Sequence, residues 1–424
     1  MKSLSGVNRF SGGLCAGVVL ITACLTEAYS LWLNETIETG TFDYFIDYYN
    51  KDSSDTIWFT SDSHAQDIAD HFDPASGTGI HQANIDVGFR EPTFLWGNDI
   101  DLKPSDITNG RANAVFPNRI VLPPEWLNLL GGHDSDETKK LCVHELHHMV
   151  QYEYIPWGLY FLSLYPFAVE GPASAAEDHL LSSLDDVRVS NKPNDFYAQA
   201  TEYLQTQFPT NLWASNGYDS AIFWKYLMEQ FGTVRTEPGV GNDVIQRFYE
   251  LADENREGIS STIQDLLDER DRHTTTAGDK RVALEEVFQD FTIANWVRRY
   301  RNPEPYAAGF TITVDDPGRF FYEDENPSVA TEPFLTGITT EANAHPQPGA
   351  THSLTAGANT GPLTASVERW AAHYLRCDFT GSASSTHGLG FWAETESGGK
   401  IWYSLIGLRQ SGEVDLIVKG ATDP

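Results

Sequence analysis

The stretch Val143-His144-Glu145-Leu146-His147-His148-Met149-Val150-Gln151 contains two histidines four residues apart, with a glutamate directly after the first. On an α-helix, residues four apart lie about 40° from each other around the axis, so His144 and His148 share one face. Two imidazoles one turn apart can hold a Zn²⁺ ion, and Glu145 on the neighbouring stripe can reach an attacking water without binding the metal. The pattern therefore predicts a metal site on a helix.

The residues around this stretch favour a helix. Asp134-Ser135-Asp136-Glu137 offers a capping box just upstream, and residues 141–152 contain neither glycine nor proline. His147 lies between the two expected ligands in sequence and points to another face. Because so short a pattern also arises by chance, a third ligand at a suitable distance decides whether it is a metal site.

The third ligand is expected from Glu170, which follows His148 by 22 residues. That length is enough to finish one helix, cross a loop and return on a second, antiparallel helix. Small residues in the stretch Phe167-Ala-Val-Glu-Gly-Pro-Ala-Ser-Ala-Ala-Glu-Asp178 would let the two helices pack closely. A site with two histidines and one glutamate leaves the fourth zinc position open, which is typical of catalysis. The alternative places Glu170 on a solvated helix face.

These two motifs together resemble a known family. The pattern His-Glu-x-x-His followed by Glu170-Gly171-Pro172-Ala173-Ser174-x-x-Glu177 resembles the gluzincin metallopeptidases, the group that includes thermolysin, hyicolysin and the zinc aminopeptidases. The second motif is close to its aminopeptidase form, whereas Met149-Val150-Gln151-Tyr152 is nearer to hyicolysin-like secreted proteins. The resemblance covers residues 113–226, about a quarter of the chain.

The resemblance implies a zincin-like catalytic domain, a mixed sheet with an active-site helix, and a role for each motif residue. His144, His148 and Glu170 would bind zinc. Glu145 would be the general base that takes a proton from the attacking water and passes it to the leaving amine. Glu177 would orient a ligand imidazole from outside the ligand set, with Asp178 as the alternative.

Two features depart from the aminopeptidase form. Tyr218 in Gly217-Tyr218-Asp219-Ser220-Ala221 lies where aminopeptidases have Tyr-x-x-Gly, whose phenol stabilises the oxyanion. Ala221 replaces that glycine, and the other interpretation of Tyr218 is a core aromatic at the start of a helix. The chain also lacks the Gly-Ala-Met-Glu-Asn segment that captures a free amine, which favours cleavage within chains.

The composition excludes several functions. The chain has 424 residues, a formal net charge of -32 and a pI near 4.6. Such a charge repels nucleic acid and anionic membrane surfaces alike. With 41% hydrophobic residues the chain is long enough for two or three domains. An acidic, well-solvated surface fits a protein that works outside the cell.

The first thirty residues predict export. Lys2 and Arg9 form a basic region before the short apolar segment 14–25, which is too short for a lasting membrane span. Ile21-Thr22-Ala23-Cys24 resembles a bacterial lipobox, in which Cys24 becomes the lipidated first residue. The alternative is an ordinary signal peptide cut near Ala28-Tyr29-Ser30. We therefore expect the bacterial cell envelope or the extracellular space, with membrane association only through a lipid anchor at Cys24.

Only two of the four cysteines, Cys142 and Cys377, lie beyond this segment, so the chain is not a disulfide scaffold. Cys142 lies on a different face from the histidines and is expected to be a small buried residue. The sequence leaves the pairing of Cys142 with Cys377 open.

The region before the metal motif predicts a mixture of elements. Residues 42–49, 56–60 and 119–122 are expected strands, and residues 63–72 a short helix with Ala65, Ile68, Ala69 and Phe72 on one face. A loop-rich region lies between them, with turn clusters at residues 74–77 and 97–101. Residues 112–121 are a candidate edge strand for binding an extended substrate, although any partly buried strand would look alike.

An acidic cluster in this region consists of Asp99, Asp101 and Asp106. It could bind Ca²⁺, but it lacks the spacing of a calcium loop, and a solvated loop is the simpler interpretation. Zn²⁺ is therefore the cofactor that the sequence predicts.

The second half of the chain changes character. Apolar periodicity predicts helices around residues 218–231, 244–251, 263–267 and 284–296. After Asn302-Pro303-Glu304-Pro305 the period becomes that of strands, at residues 371–379, 389–393, 401–408 and 414–418. We predict an α+β protein with a signal peptide at 1–30, a zincin-like catalytic region at 31–190, a helical subdomain at 191–302 and an antiparallel β-sandwich at 303–424.

The sequence as a whole predicts an exported zinc metalloendopeptidase that acts on polypeptides. Two other hypotheses stay open. One is a cell-surface binding or adhesion protein with an inactive zincin domain and a working β-sandwich; the retention of Glu145 beside the ligand pattern argues against it. The other is hydrolysis of a non-peptide bond at the same site. Neither the cleavage preference nor the oligomeric state follows from the sequence.

Overall fold

The structure is a computed structural model that describes residues 33–37, 44–48, 62–92, 98–102, 113–115, 119–122, 127, 132–155, 166–180, 217, 220–235, 238–255, 258–273, 279–297, 299–300, 317–322, 350–355, 370–372, 375–380, 400–408 and 414–421. The predicted signal segment and the strands expected at residues 56–60 and 389–393 lie outside these ranges. The chain divides into two compact units, one formed by residues 1–76 and 94–135 and the other by residues 77–93 and 136–424.

The first unit contains a mixed five-stranded sheet with the strand order β1-β2-β3-β5-β4. The β1–β2 and β4–β5 pairs are antiparallel, and β3 pairs in parallel with both β2 and β5. The strands expected at residues 42–49 and 119–122 are confirmed as β2 and β5. The zincin-like fold itself stays a prediction. The five strands are β1 Leu33–Ile37, β2 Tyr44–Tyr48, β3 Asn98–Leu102, β4 Asn113–Val115 and β5 Arg119–Val121.

Two local predictions in this unit have clear outcomes. The helix expected at residues 63–72 is α1, Asp62–Phe72, and the four side chains of its predicted apolar face are all buried. The turn expected at residues 97–101 is wrong, because Asn98–Leu102 is strand β3. Its backbone pairs with a strand on either side, and this pairing overrides the turn preference of Asn and Asp. Within the candidate substrate strand at residues 112–121, the described residues form two antiparallel strands, β4 and β5, and β4 lies at an edge of the sheet.

The second unit is built mainly from helices. The helices predicted from apolar periodicity are all present, and the short α2 within the expected loop-rich region was not predicted. Within the described residues, no helix is long and apolar enough to cross a membrane. The helices of this unit are α2 Ile80–Asp86, α3 Asp136–Tyr154, α4 Pro166–His179, α5 Ala221–Phe231, α6 Asn242–Asn255, α7 Ile259–Glu269 and α8 Leu284–Val297.

Helix α3 carries the metal motif, and it packs against α4, which in turn packs against α5. At the α4–α5 contact, a Cβ atom on Gly171 would collide with Ser220 Oγ and the Trp224 ring. Glycine is therefore needed there for the two helices to approach so closely. These contacts join the motif helices to helices that the sequence analysis assigned to a separate subdomain, and the boundary after residue 190 stays a prediction.

Aromatic and aliphatic side chains from α4 to α8 form one core, in which Phe223 and Trp224 of α5 are completely buried. Phe223 makes an edge-on contact with Phe291 of α8, and Trp224 makes one with Phe248 of α6. Helix α5 therefore lies at the centre of this unit.

The remaining strands pair two by two. The purely antiparallel arrangement predicted for residues 303–424 is wrong for β10 and β11, which are parallel. Residues 356–374 connect these two strands and supply the length that a parallel crossover requires. The β12–β13 pair is antiparallel as expected, and the sandwich itself stays a prediction. The strands are β6 Asp271–Arg272, β7 Asp279–Lys280, β8 Arg299–Tyr300, β9 Phe321–Tyr322, β10 Ala350–Thr355, β11 Leu375–Thr380, β12 Trp402–Leu408 and β13 Val414–Ala421.

Candidate metal centre

Three potential ligand atoms converge between α3 and α4. His144 Nε2 lies 3.1 Å from His148 Nε2 and 3.1 Å from Glu170 Oε2, and His148 Nε2 lies 3.5 Å from the same carboxylate oxygen. Among the described residues this is the one group of three or more His, Cys, Asp or Glu side chains that is close enough to share a metal ion. The helix periodicity of α3 brings the two histidines together, and the return of the chain through α4 adds the glutamate.

The size of this triangle fits a zinc ion. With Zn–N and Zn–O bonds of about 2.0–2.1 Å, tetrahedral ligand atoms lie roughly 3.3 Å from each other. The three observed separations of 3.1, 3.1 and 3.5 Å are close to that value. Two nitrogens and one oxygen are also a donor set that Zn²⁺ favours. The residues present therefore fit a three-ligand zinc site with a fourth position left over.

The hydrogen bonds on the far side of each imidazole point both rings toward this triangle. His144 Nδ1 lies 2.8 Å from Glu177 Oε1, and His148 Nδ1 lies 3.0 Å from Gln151 Oε1. Because both partners are acceptors, Nδ1 of each ring donates, so the Nε2 lone pairs of the two rings face each other unless a proton or a metal ion lies between them. Two lone pairs and a carboxylate that face each other at hydrogen-bond distance require a cation between them, either a proton or a metal ion.

Electrostatics in the metal-free protein agree with this geometry. Burial disfavours protonation of His144, but its hydrogen bonds to Glu170 and Glu177 outweigh burial and raise its pKa well above the usual value. Burial also acts to lower the pKa of His148, but the charge and hydrogen bond of Glu170 together with the charge of Glu145 raise it. Burial of Glu170 acts to raise its pKa, but the two imidazoles hold it well below its usual range. In the metal-free protein the imidazoles therefore hold protons beside an ionised Glu170, and a metal ion would have to displace these protons.

Helix α4 holds Glu170 in place through its first turn. The Phe167 carbonyl accepts hydrogen bonds from Trp224 Nε1 at 2.7 Å and from Ser220 Oγ at 3.1 Å, which ties this turn to α5. Gly217, with a φ of 95°, packs directly against it, because a Cβ atom there would lie 2.7 Å from Glu170 Cβ. The Glu170 side chain is 26% exposed, whereas that of His144 is 5% exposed, so the cluster opens on its Glu170 side.

Glu145 is buried on α3, directly after His144 in the sequence. Its negative charge contributes to the raised pKa of His148, which shows that it lies within electrostatic reach of the cluster. Glu177 contacts His144 Nδ1 and so occupies the position expected of a carboxylate that orients this ring. Ser174 Oγ lies 3.4 Å from His144 Nδ1. The side chain of Asp178, the alternative to Glu177, lies outside the described residues, and so does Tyr218.

Other expected residues lie away from the cluster. His147 Nε2 contacts the Tyr249 hydroxyl at 2.9 Å, and burial together with the neighbouring His148 and His144 lowers its pKa well below the usual value. Cys142 is a buried free thiol whose pKa is raised by burial, as expected for a small core residue and not a ligand. Asp99 and Asp101 lie in β3, and Asp106 lies outside the described residues, so the calcium hypothesis gains no support.

Two further residues contact this region, and neither has a predicted role. Gln151 contacts His148, and Tyr249 contacts Gln151 from helix α6. The position of Gln151, three residues after His148, was the one available signal, because this spacing brings two side chains together on a helix. Tyr249 carried no such signal, since it is 98 residues away from Gln151.

Comparisons of the chain with known protein families, with curated proteins and with solved structures find no match. The gluzincin resemblance therefore rests on the two sequence motifs alone.

Proposed function

We propose that this chain is an exported zinc-dependent endopeptidase that hydrolyses peptide bonds with water as the nucleophile. The observation that carries this proposal is the triangle of His144 Nε2, His148 Nε2 and Glu170 Oε2, whose edges of 3.1, 3.1 and 3.5 Å suit one zinc ion. Three protein ligands leave a fourth position, which is the arrangement of catalytic zinc sites and not of structural ones.

The chemistry divides between the ion and the residues around it. Bound zinc would polarise the scissile carbonyl and make water a stronger nucleophile at neutral pH. Glu145 accepts a proton from the attacking water and delivers it to the leaving amine. Tyr218 donates a hydrogen bond to the developing oxyanion. Glu177 keeps the His144 ring in the orientation and tautomer that a metal ligand requires.

The substrate and the location follow from the sequence. The substrate is a polypeptide, because the motifs resemble those of peptidases and the amine-capturing segment of aminopeptidases is absent. A net charge of -32 favours work outside the cell and disfavours nucleic acid as a partner. Export relies on residues 1–30, and a lipid on Cys24 would be the sole link to a membrane.

The test is Glu145→Gln in the zinc-loaded protein. The amide cannot take up a proton but preserves the size of the side chain, so zinc should stay bound while hydrolysis of an unfolded protein substrate falls by about 10²–10⁴-fold. Zinc content is measured by elemental analysis, and cleavage is followed with and without a chelator. Glu153→Gln, the same change two turns further along α3, is the matched control and should keep full activity.

The outcomes separate the competing functions. Full activity in Glu145→Gln would contradict the mechanism. A zinc-loaded wild-type protein that cleaves no peptide bond would favour either the binding-protein alternative or hydrolysis of another bond. A wild-type protein that takes up no zinc would contradict the metal centre itself.

A further inference from the structure

Gln151 lies completely buried on α3, one turn after His148, and its side-chain amide makes three hydrogen bonds. Its Oε1 atom lies 3.0 Å from His148 Nδ1. Its Nε2 atom donates to the carbonyl of Val169 at 2.8 Å and to the Tyr249 hydroxyl, also at 2.8 Å. These partners belong to three different helices, α3, α4 and α6.

The Val169 carbonyl determines which way this amide points. A backbone carbonyl can only accept, so the amide nitrogen must face Val169, and the amide oxygen must then face His148. The reversed amide would place two carbonyl oxygens 2.8 Å apart. Since Oε1 can only accept, His148 must carry its proton on Nδ1, which leaves Nε2 free to bind a metal ion.

We propose that Gln151 is a positioning residue of the metal centre, an inference that rests on the proposed function. It acts on two ligands at once. Its oxygen sets the tautomer and ring orientation of His148, and its nitrogen holds the backbone at Val169, the residue directly before Glu170. One side chain on α3 thus fixes the distance between a histidine ligand on its own helix and a carboxylate ligand on α4.

The choice of an amide has an electrostatic reason. Glu145, Glu170 and Glu177 already bring three carboxylates to this region, and one of them, Glu177, accepts the hydrogen bond of His144 Nδ1. A fourth carboxylate at position 151 would orient His148 equally well, but it would add negative charge in a buried place and could not donate to Val169. A neutral amide accepts from the imidazole and donates to the backbone, so it performs both tasks.

Tyr249 supports this arrangement from α6. Its buried hydroxyl accepts the second N–H of Gln151 and also lies 2.9 Å from His147 Nε2. The amide of Gln151 is therefore held on two sides and cannot turn without breaking contacts to both α4 and α6. The orientation of His148 is in this way linked to the packing of three helices.

The experiment compares Gln151→Met with Gln264→Met in the full chain. Methionine has a similar length and no hydrogen-bonding amide, so Gln151→Met removes all three hydrogen bonds with little change in volume. Gln264 on α7 is the matched control, because its amide also bonds backbone groups, at Val282 and Leu284, away from the metal cluster. Zinc affinity is measured by competition with a chelator, and the absorption spectrum of the Co²⁺-substituted protein reports the ligand geometry.

We expect Gln151→Met to weaken zinc binding by about 10–100-fold and to alter the Co²⁺ spectrum. Gln264→Met should leave both measurements unchanged, even if thermal unfolding shows the same loss of stability in the two variants. Gln151→Glu keeps an acceptor opposite His148 but loses the donor to Val169, so its zinc affinity should lie between those of the wild type and Gln151→Met.

The possible results separate the role of Gln151 from the proposed function. Wild-type zinc affinity and an unchanged Co²⁺ spectrum in Gln151→Met would overturn the role of Gln151 and leave the proposed function intact. If Gln151→Met does not fold, wild-type zinc affinity in Gln151→Glu would overturn the proposed link between the two ligands, because this variant has lost the donor to Val169. A wild-type protein that binds zinc but hydrolyses nothing would contradict the peptidase while the role of Gln151 stands, and one that binds no zinc would overturn both.

Discussion

Two buried polar clusters in the second unit are built on opposite principles. Around Arg272, a guanidinium donates to Asp290 at 2.7 Å, to the Tyr226 hydroxyl at 2.6 Å and to Gln230 Oε1 at 2.8 Å. Every acceptor there faces a donor that the chain itself supplies. Around His144, by contrast, two imidazole nitrogens and a carboxylate oxygen face one another.

The difference shows how a structural cluster can be told from a ligand site. A buried charge is stable when it is paired and its hydrogen bonds are satisfied, as they are for Arg272 and Asp290, whose side chains are completely buried. A cluster of acceptors without its own cation is unfavourable unless something positive occupies it. The folded chain tolerates the second arrangement because a proton or a metal ion can enter it.

The largest effect should follow from His148→Ala. Removal of one of three ligands should weaken zinc binding by on the order of 10³-fold or more, beyond the ~10–100-fold typical of a partner outside the ligand set. The metal-free protein should lose only a little thermal stability, because Glu170, the carboxylate that loses a partner, is 26% exposed to water. Elemental analysis and thermal unfolding check both points, and retention of stoichiometric zinc would contradict the assigned ligand set.

The reverse outcome is expected for Arg272→Met. The change leaves the Asp290 carboxylate buried without its guanidinium, which typically costs about 3–5 kcal/mol of unfolding free energy. Lys419 Nζ still lies 2.7 Å from Asp290 Oδ1, so the loss should be at the lower end of that range. Chemical denaturation measures it, and zinc affinity of the folded fraction should not change. A loss of zinc affinity without a loss of stability would erase the distinction between the two clusters.

A smaller effect is expected for Gly217→Ala. Gly217 and Gly77 both have a positive φ, 95° and 97°, but only Gly217 packs against Glu170, whereas nothing lies within 4 Å of a Cβ atom at Gly77. Both alanine variants should lose about 1–2 kcal/mol from backbone strain. Only Gly217→Ala should also weaken zinc binding, by roughly 10-fold, because the new methyl group displaces the carboxylate.

Chelator competition and thermal unfolding of the Gly217→Ala and Gly77→Ala variants separate the two effects. Equal zinc affinity in both variants would mean that Gly217 is needed only for its backbone conformation and not for the position of Glu170.

Much of the helical part was predictable because its signal is local. The apolar periodicity of α1 and of α5 to α8 appears in consecutive turns, and the buried side chains lie where that periodicity places them. Helix α2 has only seven residues, too few for a periodic signal, and it was missed. Strand β3 was mistaken for a turn, because its Asn and Asp residues favour turns until neighbouring strands pair with them.

In the candidate site, too, the residues with a local sequence signal were predicted and those that depend on tertiary contacts were not. His144, Glu145 and His148 were predicted from their spacing on one helix, Glu170 from its distance along the chain together with the family resemblance, and Glu177 from the resemblance alone. Gln151 and Tyr249 were given no role, because a hydrogen bond between side chains on α3 and α6 has no counterpart in either local pattern. The oxyanion role of Tyr218, the lipid on Cys24 and the β-sandwich stay predictions.

The sequence by itself determined that two histidines and a glutamate share neighbouring faces of one helix, because 3.6 residues per turn leaves no other arrangement. Only the tertiary structure decided how the carboxylate of Glu170 meets them, which proton each imidazole carries and which helices hold the cluster in place. The physical reason is distance along the chain. Backbone geometry acts over a few residues, whereas the Val169 carbonyl, Gly217 and Tyr249 reach the site only after the helices have packed.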